Sequence, residues 1–285
     1  MNDFKTPLIA RAGFVLAFLL TSIATAHSAT FGSSRGIAME MWVTWPASDR
    51  WNDAEVVDNF PEWQKFVSDD DIRDLKQKGL TTVRIPIDPA MFLFSDDSQR
   101  EGLLFEGIHR AVKRILDAGL TAIVDLHTIS YGNDGPRIGI DQVQNDDRIF
   151  IKYKALVEKF AAQLRIYDPR KVAFELINEP NYACDDRDTK NLWNAQLAQL
   201  HGAARAVNTD ITLILTGACY GSAAGLTLLD PTQFNDTNII WSFHNYEPFI
   251  LTHQSAGWVG QPVGSFKNLP YPPNLLEPKT VEFMP

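Results

Sequence analysis

Positive charge is in short supply in this chain. Lysine and arginine together number 26 against 35 acids, leaving a formal charge of -9 over 285 residues. That balance sets nucleic acid and other polyanions aside as partners and leaves neutral or cationic ligands open. No low-complexity or linker-like stretch divides the sequence, and 45% apolar content is enough for one large domain with a substantial core. No glycine-rich phosphate loop follows the first strand-like run, which counts against a dinucleotide-binding sheet. No close-spaced histidine pair suggests a metal site, and no expected strand ends in a lysine that could form a Schiff base. Only two cysteines are present, Cys184 and Cys219.

The first residues read as a processing signal rather than as part of the fold. Lys5 and Arg11 precede an apolar run over residues 14–20, and Ala24, Thr25 and Ala26 follow. This order is that of a secretory signal peptide, with cleavage expected at or near Ala26. The run is short for a membrane span. The expectation is an exported chain, secreted or periplasmic, with residues 27–285 as one domain and no stable membrane association after cleavage. In such surroundings an even pair of cysteines is a disulfide candidate.

Strand-like and helix-like stretches then alternate. Residues 36–45 (GIAMEMWVTW) are strand-like, and Trp45, Trp51 and Trp63 follow one another closely. A capping box at Ser68 and Asp71 opens a helix with Ile72 and Leu75 on its apolar face, and Gly79 can close it. Residues 80–87 (LTTVRIPI) form the next strand. It carries Arg84, and an inward arginine there requires carboxylate partners. Ile108, Ala111, Val112, Ile115 and Leu116 mark a helix ended by Gly119, and residues 120–127 (LTAIVDLH) a strand ending at His127. A third helix spans residues 146–167. The strand KVAFELINEP (171–180) follows, ending in Asn178 and Glu179, then a helix from Leu192 to about Val207. ITLILTG (211–217) and NIIWSF (238–243) are two further strands, the last delivering His244, Tyr246 and Glu247. His109 and His201 fall within helix patterns and are expected to be structural or exposed.

Six strands with crossover helices between most of them imply parallel pairing, either in an open doubly wound sheet or in a barrel. Polar residues at the ends of several different strands favour the α/β barrel of the (β/α)8 TIM type. In that barrel strands four and five are neighbours, so the loops carrying Cys184 and Cys219 leave one rim and a disulfide between them would pin both.

Arg84, His127, Asn178, Glu179, His244 and Tyr246 gather on that rim. Asp125, His127, Glu179 and His244 include metal-ligand types, but without close spacing. Glycosidic cleavage needs a carboxylic acid, polar groups around sugar hydroxyls and an aromatic wall. Glu179, Asn178, His127 and the tryptophans suit it best. Trp45, beside Pro46 at an expected strand end, is a candidate sugar platform. Trp258 and Tyr271 could wall a cleft.

"RIP" at Arg84, "DLH" at His127, "NEP" at 178–180 and "HNYEP" at His244 occur in an order that resembles glycoside hydrolase family 5, the cellulase family, and its bacterial secreted endoglucanases most of all. The resemblance covers most of residues 36–254. It implies an endo-acting, retaining hydrolase of β-1,4-glucan that works as a monomer without cofactor or metal, with mannan- or xyloglucan-cleaving relatives and a non-catalytic carbohydrate-binding barrel as alternatives. It implies that Glu179 is the general acid/base and that Asn178 holds the sugar 2-hydroxyl. Arg84 would fix the nucleophile, Tyr246 would contact it, and His127 and His244 would be site histidines.

The pattern departs from the family in one respect. A retaining glycosidase needs a second carboxylate about 5 Å from the first, and the family carries it at the end of a seventh strand. No such strand is legible here. Glu282 is a poor candidate, because no helix follows it, and Glu247 stands too close to the sixth strand. The expectation is a barrel with six of eight strands, a nucleophile beyond residue 285, low stability, and at best very weak hydrolysis.

Overall fold

The computed structural model describes residues 31–40, 42–43, 50, 65–94, 98–128, 140–184, 187–272 and 282–283. The segment read as a signal peptide lies outside them, as do Trp45, Trp51 and Trp63.

Six strands form one parallel sheet in sequential order: β1 (Gly36–Ala38), β2 (Thr82–Ile87), β3 (Thr121–Leu126), β4 (Val172–Glu175), β5 (Thr212–Thr216) and β6 (Ile239–Ser242). Strands consecutive in sequence pair with each other, as in an incomplete (β/α)8 barrel. Among the described residues neither outer edge meets a further strand. β1 is exposed along its length, with Ile37 42% accessible.

Register and alternation separate two cores. Successive strand side chains point to opposite faces. Val83, Ile85 and Ile87 align with Ala122, Val124 and Leu126, and these with Val172 and Phe174; all turn outward into the main apolar core. The helices α3 (Ser98–Asp117), α5 (Asp147–Gln163) and α6 (Arg187–Val207) cover that face. Leu104, Ile108, Ala111 and Ile115 line α3, while Trp193, Leu197, Leu200 and Ala204 line α6 at helical spacing. Phe160 of α5 packs against Phe105, Phe92 and Phe174 at ring separations of 4.9, 5.2 and 6.0 Å. The alternate residues Ile123, Ala173 and Ile214 turn inward, where Phe31 closes a small apolar plug beneath the polar layers.

Local signals explain the helix ends. Ser68 and Asp71 form the reciprocal capping box before α1 (Asp69–Gln77). Gly79 and Gly119, both at positive φ, turn the chain out of α1 and α3 into the strands that follow. Asp146 caps α5 by accepting from Arg148 N and Ile149 N. The expected helix over 146–167 is shorter than its pattern: it becomes a 3-10 turn at Leu164–Ile166. Two short helices carry no strong periodic signal, α2 (Ala90–Phe94) and α4 (Ile140–Asn145). A two-stranded antiparallel pair, β7 (Phe266–Lys267) and β8 (Glu282–Phe283), lies apart from the main sheet. Glu282 is therefore not on a seventh strand of that sheet.

Candidate active site

The inward face turns from apolar to ionic one layer above the plug. Arg84 Nε donates to Glu175 Oε2 at 2.7 Å, and its Nη2 reaches Glu175 Oε1 at 3.0 Å, Asp125 Oδ2 at 2.8 Å and Asn178 Oδ1 at 2.8 Å. Asp125 and Glu175 sit side by side in the β3–β4 register, and both are buried. Burial works against the guanidinium charge, but the two carboxylates outweigh it and raise the Arg84 pKa. Burial and the Asp125 charge raise Glu175 against the pull of Arg84. This ion cluster explains an arginine in an inward strand position.

The next layer is a hydrogen-bond chain. His127 Nδ1 bonds Asp125 Oδ2 at 2.9 Å, and its Nε2 meets Asn178 Nδ2 at 3.1 Å. With Nδ1–H given to Asp125, the neutral ring presents a lone pair at Nε2 that accepts from the Asn178 amide. Burial opposes protonation of this ring, yet the Asp125 hydrogen bond and charge prevail and raise its pKa. Asn178 is thus held from two sides, by Arg84 and by His127. Its own N–H donates to Leu126 O at 2.9 Å, which fixes the strand end.

Glu179 comes next in the chain and stands in a left-handed backbone conformation, with φ 44°. A non-glycine residue held there costs on the order of 1–3 kcal/mol, and such strain concentrates at functional positions. Its Oε1 accepts from His244 Nδ1 at 2.6 Å and from Tyr246 Oη at 2.7 Å. Burial tends to raise the Glu179 carboxyl, but these two bonds and the positive charge of His244 outweigh it and hold the carboxyl below its usual range. Burial, and then the Glu179 charge, push the Tyr246 phenol up to about 12.

A second loop locks this arrangement. Cys184 and Cys219 form a disulfide, with Cα atoms 4.8 Å apart. Cys219 N donates to Tyr182 O and Tyr220 N to Pro180 O, so the loop after β5 is stitched to the residues flanking Glu179. Gly221 O in turn accepts from His244 N at 2.7 Å. Both partners in the Glu179–His244 contact are therefore referenced to one short segment.

Expected rim residues Arg84, His127, Asn178, Glu179, His244 and Tyr246 all converge. The Tyr246 hydroxyl bonds Glu179 itself. Trp258 is 79% exposed and meets His253 edge-on at 5.2 Å; His253 stacks on Phe249 at 3.9 Å and meets Tyr246 at 5.0 Å. An aromatic train thus runs outward from the site. Glu247 accepts from Phe249 N, within its own loop. His109 and His201 are structural, bonded to Tyr167 and Asp236 respectively. Among the described residues no group of three metal-ligating side chains is placed to hold an ion. Glu175 carries no sequence signal of its own beyond the carboxylate partner that an inward Arg84 requires.

The family model for cellulase (glycosyl hydrolase family 5) matches residues 41–271. The chain belongs to this family. Among curated relatives, Endoglucanase 3 of Fibrobacter succinogenes is 28% identical over 235 residues, covering 75% of this chain and 34% of its own. Cellodextrinase A of Ruminococcus flavefaciens is 28% identical over 201 residues, covering 68% of this chain and 55% of its own. The chain thus spans a third to just over half the length of these two relatives. Of solved structures, Cel5A of Thermotoga maritima in complex with cellobiose superposes with a TM-score of 0.61 at 23% identity, over 80% of this chain and 66% of that one. That likeness shows that the six-stranded sheet belongs to a barrel of the (β/α)8 type.

Proposed function

We propose that this family 5 chain acts on β-1,4-glucan, as an endo-acting retaining hydrolase in which Glu179 is the general acid/base. The observation that carries the reading is Glu179 itself: a strained carboxylate at the mouth of a parallel barrel, gripped by His244 and Tyr246 beside an immobilised Asn178. In the first step Glu179 gives its proton to the glycosidic oxygen as the bond to the sugar breaks. In the second it takes a proton from the attacking water. Asn178, fixed by Arg84 and His127, presents its amide to a sugar hydroxyl without having to be ordered first.

The hydrogen bonds on Glu179 favour its ionised form, which suits the base half of the cycle. The acid half becomes accessible when a second negative charge stands nearby and raises the carboxyl. Retention requires such a carboxylate about 5 Å away. Asp125 and Glu175 are buried under Arg84 and cannot serve. The proposal therefore places the nucleophile outside the described residues. Export, which the first 26 residues suggest, would put the chain where such polysaccharides occur.

A mannan-cleaving role is the second reading. It is favoured by the Thermotoga Cel5A structure in complex with mannotriose, which superposes on this chain with the same TM-score, 0.61, as the cellobiose complex. Incubation with cellotetraose and with mannotetraose, followed by product analysis, separates the two. Greater release of shorter oligosaccharides from cellotetraose supports the glucan reading, and preference for mannotetraose replaces it.

A further inference from the structure

One acid at the mouth has no part in the mechanism above. Glu40 follows β1, whose register sets Ala38 opposite Arg84, and Met39 N donates to Arg84 O at 2.9 Å. Alternate side chains share a face, so Glu40, two residues past Ala38, continues the inward row of Arg84 one layer nearer the opening. It is exposed there. Its charge acts on Arg84, on His127 and on Tyr246. Those groups come from β2, from the end of β3 and from beyond β6. A charge felt by all three sits over the mouth they share, and not on the outer surface of the sheet.

The other inward acids, Asp125 and Glu175, are sealed beneath Arg84, and Glu247 is turned toward Phe249 N. Glu40 and Glu179 therefore stand at the opening beyond β1 and β4, with His127 at the end of β3 between them in sheet order and Asn178 next to Glu179. A sugar ring whose glycosidic oxygen lies against Glu179 extends across Asn178 toward β1. We propose that Glu40 contacts that sugar directly, its carboxylate accepting hydrogen bonds from ring hydroxyls on the side away from the bond being cleaved. This inference rests on the glycan reading of the site. A carboxylate has acceptor capacity for two hydroxyls at once, and ionised acceptors make the stronger bonds.

The test is calorimetric titration of the full chain with cellotetraose, comparing wild type, Glu40→Ala and Glu40→Gln, with thermal melting of each. Losing a charged hydrogen bond should weaken binding about tenfold to a hundredfold in Glu40→Ala. Glu40→Gln keeps an acceptor oxygen and should fall between. Melting temperatures should be unchanged, since the residue is exposed. Equal affinity in all three proteins overturns the contact, and so does an affinity loss that tracks a lower melting temperature. If wild type binds neither cellotetraose nor mannotetraose, the glycan reading itself fails and takes this inference with it.

Discussion

Removing the Arg84 guanidinium should destabilise the protein most at neutral pH and least in acid. Asp125 and Glu175 lie side by side in the strand register, and both are buried. In the native chain Arg84 bonds both. Arg84→Ala leaves two carboxylates facing each other in a dry interior, a loss of about 3–5 kcal/mol for a broken buried pair. Set against a total stability of about 5–15 kcal/mol, that is a large fraction. Burial and Asp125 already raise Glu175 above its unfolded value, so its contribution is fully present below that value and is lost as pH rises through the folded one. Without Arg84 the upward shift grows, and the penalty widens between acid and neutral pH. Urea unfolding of wild type and Arg84→Ala at pH 4 and pH 7 measures this. A penalty below about 1 kcal/mol, or one equal at both pH values, would refute the buried cluster as described.

Three further outcomes follow from the same contacts. Cys184→Ser with Cys219→Ser opens a loop of sequence separation 35; chain entropy sets the stability loss at about 4 kcal/mol at most, read as a lower denaturant midpoint without a new transition. Phe160→Ala empties the centre of a four-ring cluster and should cost about 3–5 kcal/mol in urea unfolding. Tyr246→Phe removes one of the bonds that favour ionised Glu179, so the carboxyl titrates at higher pH, as carbon-detected NMR of the labelled side chain should show. The acid form of Glu179 then persists to higher pH, and the alkaline limb of any pH–rate profile moves upward with it.

The strands and covering helices were legible because their patterns answer to simple constraints. VAFELI and TLILT are buried on both faces and read as continuous apolar runs, and helices such as α3 repeat at 3.6 residues. Arg84 announced that carboxylates must lie near it, but not which ones. Glu175 is hidden among apolar neighbours, and its pairing across two strands depends on register, which local sequence does not display. Asn178 and Glu179 stood out as polar residues at a strand end. The left-handed backbone at Glu179 did not, because glutamate carries no preference for that conformation and the surrounding loops impose it. The attachment of Tyr246 to Glu179 likewise depends on how the loop after β6 folds back.

Hydrolysis of cellotetraose by wild type and by Glu179→Gln tests the central claim most directly. Wild type should release shorter oligosaccharides at a measurable rate. Loss of general acid/base catalysis typically costs 10²–10⁴-fold, so the variant should release none detectably while binding the sugar as before. Equal rates from the two proteins would contradict the assignment of Glu179 as the proton donor.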